Sequence, residues 1–156
     1  MASAGMIAVA LYMEHSLGLQ PCILCYMQRG SVIIVGILAA FGMIINPKKI
    51  LTYKIILSSI FLSILSGALL SITQLYLQSL PADLVPSCAP DMEYLFATLP
   101  FLEILILAFT GDGNCAEILW TFMGISIPGW VLISLSFLLI YCVFIFKKVN
   151  EIHSHN

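Results

Sequence analysis

PCILCYMQRGSVIIVGILAAFGMII, residues 21–45, decides how the rest of the chain is read. From Tyr26 to Ile45 it carries one charge, Arg29, and it stops at Asn46-Pro47. A helix rises about 1.5 Å per residue, so about 20 apolar residues cross a bilayer core of about 30 Å. Tyr26–Ile45 has that length. Three further stretches qualify or nearly so. Ala4–Leu19 is short, with Glu14-His15 near its outer end. Ile50–Tyr76 has Ser and Gly scattered along it, residues that let helices approach closely. Pro128–Phe146 opens on a proline, which suits a first helical position, and stops at Lys147-Lys148. Composition agrees: the 156 residues are 61% hydrophobic and 9% charged, with a mean hydropathy of +1.07. A soluble domain is about 25% charged. So little charge cannot cover a surface in water, which excludes a soluble globule and a disordered chain. Six Lys and Arg in all exclude a basic nucleic-acid binder.

These spans predict an all-α membrane protein, one domain over 1–156. It is a four-transmembrane-helix bundle with helices at approximately 4–19, 26–45, 50–76 and 128–146 and a long loop at approximately 77–127. The first helix either starts at the interface or lacks a few native residues. A cleaved signal peptide is a poor reading of it, because no Lys or Arg precedes the apolar run.

Charges orient the bundle. Lys48, Lys49, Lys54, Lys147 and Lys148 form two basic clusters. Glu14, Asp83, Asp91, Glu93, Glu103, Asp112 and Glu117 lie in the other segments. The positive-inside rule then places 46–54 and both termini in the cytoplasm, and residues near 20 and 76–127 on the far side. Within that loop Leu95–Phe109 reads LFATLPFLEILILAF. Were it a span, Lys147-Lys148 would be exported, so it is read as a short helix in the outer interface.

The same topology gathers cysteines. Of the five, Cys22, Cys25, Cys88 and Cys115 face outward and only Cys142 sits inside a span. Cys22 and Cys25 form Cys-x-x-Cys at the outer mouth of the second helix, a weak signal alone. Such a pair closes a small ring, so its oxidation is reversible. A helix N-terminus favours the thiolate, the attacking species in disulfide exchange. Arg29 lies four residues after Cys25, on the same helical face one turn deeper. At bilayer depth an Arg costs about 2.5–3.5 kcal/mol, so it calls for an anion: a Cys25 thiolate, or an oxygen gaining charge on a bound electron acceptor. Cys88 follows Pro86-Ser87, and Cys115 follows Gly111-Asp112-Gly113-Asn114, both turn-rich. No metal is expected, since Cys88 and Cys115 lack a second short spacing.

Three stretches together resemble the DsbB family of disulfide-bond formation membrane proteins. The first is Leu19-Gln20-Pro21-Cys22-Ile23-Leu24-Cys25-Tyr26-Met27-Gln28-Arg29, similar to the family's Pro-Cys-x-x-Cys-x-x-x-Arg signature. The second runs from Leu77-Gln78-Ser79-Leu80-Pro81 to Pro86-Ser87-Cys88, and the third from Gly113-Asn114-Cys115-Ala116-Glu117 through Trp120 to Pro128-Gly129-Trp130. The resemblance covers nearly the whole chain in order. It implies a quinone-dependent protein thiol:disulfide oxidoreductase of the bacterial inner membrane, with its active cysteines in the periplasm. Its partner is a DsbA-type thioredoxin-fold protein, and two electrons pass to a bound quinone, ubiquinone or menaquinone. By the same resemblance Cys88 is the cysteine the partner attacks, and Cys115 is its pair, exchanging with Cys22. Cys25 adjoins the quinone and Arg29 supports that contact. Family members often carry His or Arg before the Leu-Gln pair; here Gln74 stands there as a neutral donor to the quinone.

Two other functions compete. A vitamin K epoxide reductase-like enzyme shares the architecture, but its Cys-x-x-Cys follows the loop cysteines in sequence, and here it precedes them. A disulfide-stapled membrane scaffold would hold inert disulfides. Cys142 reads as a small apolar residue. Glu14 and His15 read as interfacial, as do the anchors Tyr76, Trp120 and Trp130. His153 and His155 read as a solvated tail.

Overall fold

The computed structural model describes residues 2–18, 21–45, 50–81, 97–100, 102–104, 106 and 113–154. Its elements are α1 (Ala2–Leu17), α2 (Ile23–Ile45), α3 (Ile50–Ser79), the single turn α4 (Gly113–Ala116), a hairpin of β1 (Thr121–Phe122) and β2 (Ile125–Ser126), and α5 (Ile127–Ser154). Among the described residues, three helices are long and apolar enough to cross a membrane: Ile23–Ile45, Ile50–Ser79 and Ile127–Glu151. At about 1.5 Å per residue, the 16 residues of α1 reach roughly 24 Å, short of a full hydrocarbon core. α1 stops at Leu17 because Gly18 takes φ +64°, the left-handed conformation that ends helices.

Boundaries moved where tertiary partners extend a helix. α2 begins at Ile23 rather than Tyr26, and the Tyr26 amide donates to the Cys22 carbonyl at 3.2 Å. Cys22 thus sits at the helix edge and Cys25 inside its first turn. α3 runs past Tyr76 because Leu77 is buried and the Gln78 side-chain Oε1 accepts the Ser126 hydroxyl at 2.8 Å. α5 runs beyond Phe146, through Lys147-Lys148.

α3 packs against both α2 and α5, and α1 packs on α2. Lipid tails are as apolar as leucine, so van der Waals fit rather than water exclusion holds such helices together. Three helices come close at Gly67, where a Cβ would stand 3.1 Å from Leu135 Cδ1 and 3.2 Å from Ser31 Cβ. That point ties α2, α3 and α5. Ser31, Ser59, Ser63, Ser71 and Thr73 return their hydroxyls to carbonyls one turn back, so they need no water. Outward faces carry Ile37, Phe41, Leu62, Leu69, Phe137 and Phe144, all exposed, a surface suited to lipid rather than water.

Within 95–109, residues 97–98, 102–104 and 106 are helical. Ile104 is buried while Leu102 and Ile106 are exposed. The hairpin is an addition to the expected loop. Met123 (φ 53°) and Gly124 (φ 79°) form its two-residue turn, the positive-φ pair that suits the twist of paired strands. Trp120 stacks on Phe122 at 5.9 Å, and the Trp130 indole donates to the Phe122 carbonyl at 3.2 Å. These contacts fasten the hairpin to the start of α5.

Candidate functional site

One end of the bundle holds a buried cluster of Cys22, Ile23, Leu24, Leu77, Ile104 and Cys115. α2 supplies Cys22 and Cys25, whose sulfurs stand 3.2 Å apart as thiols. α4 brings Cys115, with no exposed surface, into the same buried cluster as Cys22. Ile104 and Leu77 close over them. Residues 93 positions apart in sequence thus share one buried cluster. Cys88 lies outside the described residues.

The Cys22 thiol is pushed up to about 12, chiefly by its hydrogen bond with Cys115. Cys25 opposes that effect and burial adds to it. The sequence reading expected the helix N-terminus to favour a thiolate here. For Cys22 the opposite prevails, because neighbouring thiols share protons and water is excluded.

Gln74 of α3 reaches across to the pair. Its Nε2 donates to Cys22 Sγ at 3.4 Å and to Cys25 Sγ at 3.3 Å. Gln28 Nε2 donates to Gln74 Oε1 at 2.8 Å, which holds that amide in place. Both glutamines are buried. The Gln74 amide thus engages both sulfurs.

Arg29 projects from α2 one turn below Cys25. Its Nη1 donates to Glu14 of α1, forming an ion pair, and its Nη2 donates to the Ala10 carbonyl at 3.3 Å. The guanidinium also lies 5.7 Å from the Tyr26 ring centroid, a cation–π arrangement. The anion that Arg29 demanded is therefore Glu14, which the sequence reading had left in the interface. A signal was present: Glu14 is the one acid before residue 83, on the same side as Arg29. Gln28 was the second residue missed, and no spacing in the sequence marks it.

Arg29, Glu14, Cys25 and Gln28 line a narrow cleft with about 90 Å³ of room, walled by apolar residues including Met6, Ala10, Val32 and Val131. Next to it runs an open apolar groove of about 460 Å³ between α1 and α5, floored by Trp120, Phe122 and Trp130. Met6, Ala10, Met13, Ile127 and Val131 border both spaces. Polar groups thus converge at one end of a long apolar trough.

Known proteins similar to this chain carry one description. A family model described as "Disulfide bond formation protein DsbB" matches residues 1–145. A disulfide bond formation protein B of Marinobacter nauticus is 40% identical over 147 residues, covering 93% of this chain and 86% of that one. The protein of the same name in Hahella chejuensis is 42% identical, over 86% of this chain and 81% of its own. That of Saccharophagus degradans is 45% identical, over 83% and 78%.

Proposed function

The chain belongs to the DsbB family of membrane disulfide bond formation proteins, and from that premise we propose that it reoxidises a DsbA-type periplasmic thioredoxin-fold protein and delivers the electrons to a quinone. The carrying observation is the burial of Cys115 in one cluster with Cys22, with Cys25 packed against it. It supports exchange between a loop cysteine and the Cys-x-x-Cys pair.

The steps balance as thiol–disulfide exchange. A partner thiolate attacks Cys88 in a Cys88–Cys115 disulfide; the partner–Cys88 bond forms and Cys115 leaves as thiolate. The second partner thiol then displaces Cys88, and the partner departs oxidised. In the Cys22–Cys25 disulfide, Cys115 attacks Cys22 Sγ and Cys25 leaves as thiolate. Cys88 resolves the Cys22–Cys115 bond, which restores the loop disulfide and leaves the Cys22–Cys25 pair as a dithiol. Gln74, held by Gln28, gives the departing Cys25 sulfur a donor without bringing a charge into an apolar site.

The cleft fits a quinone by its donor set: a guanidinium and a thiol at one end of an apolar trough. A quinone held there would supply two-electron, two-proton acceptance, which returns the Cys22–Cys25 dithiol to the disulfide. Arg29 would hold its oxygen beside Cys25, and the aromatic groove would seat its apolar portion. Four membrane helices, with α1 as the first and 95–109 in the outer interface, complete the reading. Cytoplasmic termini and periplasmic cysteines follow from the basic clusters. All of this sits in a bacterial inner membrane, with Tyr76, Trp120 and Trp130 as outer anchors.

The test supplies the purified protein with a reduced DsbA-type protein and decyl-ubiquinone or a menaquinone analogue. Quinol forms at the expense of partner thiols, and a Cys115→Ala variant accumulates a partner mixed disulfide at Cys88. Turnover by Cys22→Ser or Cys88→Ser at the wild-type rate would overturn the proposal.

A further inference from the structure

Arg29 has five N–H donors fixed in a planar fork, so its usefulness depends on how that fork is turned. α1 turns it. Glu14 takes Nη1 and the Ala10 carbonyl takes Nη2, while the Tyr26 ring lies against the guanidinium. All contacts of the fork described here come from α1 or from α2 itself. Glu14 and Arg29 are partly exposed, and both line the cleft that Cys25 also borders. An ion pair bordered by apolar walls is held more firmly than one in water, because little solvent competes for either partner.

We propose that Glu14 is a positioning residue: it orients the Arg29 guanidinium so that the donors it leaves unused face the acceptor's oxygen beside Cys25. This rests on the quinone reading above. Glu14 touches neither sulfur in any described contact, so it acts through Arg29. Its carboxylate also offsets the Arg29 charge, which lets a cation stand at membrane depth without an anionic ligand. α1 thereby becomes part of the active site, although it buries none of its residues.

The test measures quinone reduction by full-length protein reduced with dithiothreitol, using decyl-ubiquinone over a range of concentrations. Glu14→Leu removes the acceptor. A charge-assisted hydrogen bond is worth roughly tenfold or more, so KM for the quinone rises roughly tenfold while kcat stays within roughly twofold. Glu14→Gln keeps an oxygen for Arg29 Nη1 and recovers most of that loss, which shows that the leucine effect is not misfolding. In an Arg29→Ala background, Glu14→Leu adds nothing further. A wild-type KM in Glu14→Leu, or an equal added loss in the Arg29→Ala background, overturns the assignment. If wild type itself reduces no quinone while still exchanging thiols with its partner, the quinone reading fails and takes the assignment with it. The wild-type control separates the two failures.

Discussion

Gln74→Leu tests the centre of the site. Gln74 is 3% exposed and Gln28 4%, so neither amide has water to fall back on. Leucine nearly preserves the volume, which keeps packing losses small. It removes the acceptor of the 2.8 Å bond from Gln28 and leaves that amide donor buried without this partner, a cost of about 1–3 kcal/mol. In a chain of this size each kcal/mol lowers Tm by about 2–4 °C, so a cost near the middle of that range lowers it by about 4–8 °C. Replacing both partners with apolar groups removes the orphan instead of creating it. Gln28→Leu/Gln74→Leu is therefore more stable than Gln74→Leu, by a coupling of about 1–2 kcal/mol. Unfolding of the reduced protein in detergent, followed by circular dichroism, measures all three variants. A second readout is alkylation: Cys22 loses a donor at 3.4 Å, so in Gln74→Leu it reacts more slowly with iodoacetamide at mildly alkaline pH. A single variant that melts with wild type, or a double variant weaker than either single one, would refute the relay.

Two further perturbations probe other parts of the same fold. The Cys22 thiol, raised from 9.0 to about 12, favours the neutral form in the folded reduced protein. Its contribution to stability is complete below pH 9 and is lost as pH climbs from there towards 12. Reduced wild type should therefore lose Tm across that window while Cys22→Ser loses less. Cys115→Ala, which removes the largest cause, should bring Cys22 alkylation down to a lower pH. At the three-helix contact, Gly67→Val meets Leu135 at 3.1 Å and Ser31 at 3.2 Å and should destabilise by about 1–3 kcal/mol. Gly30→Ala is the control on α2, where an added Cβ meets nothing within 4 Å, and its Tm should equal or exceed that of wild type.

What the sequence revealed and what it hid divide along a physical line. In a chain so poor in charge, each polar residue inside an apolar run carries a large desolvation cost. The Cys-x-x-Cys pair, Arg29 and the small residues of α3 therefore stood out before any contact was known. Span length is likewise a one-dimensional property, so α2, α3 and α5 were readable, with ends displaced at the start of α2 and where Leu77, Gln78 and the turns of α5 past Lys147-Lys148 extend them. Partners are not one-dimensional. Gln74 and Gln28 are 46 residues apart, and Glu14 and Arg29 are 15 apart across a helix break. Which side chain meets which depends on the rotation of each helix about its axis. The rotation is fixed by contacts such as Gly67 against Leu135, and no periodicity in these evenly apolar helices reports it. Hence Arg29 announced that it needed an anion, but whether the anion was a thiolate, a ligand oxygen or a carboxylate was decided by the register of α1 on α2. The same register explains the fate of Gln74. It meets both sulfurs because α3 turns that face towards the first turn of α2. A neutral amide there gives the cysteines a donor at every pH.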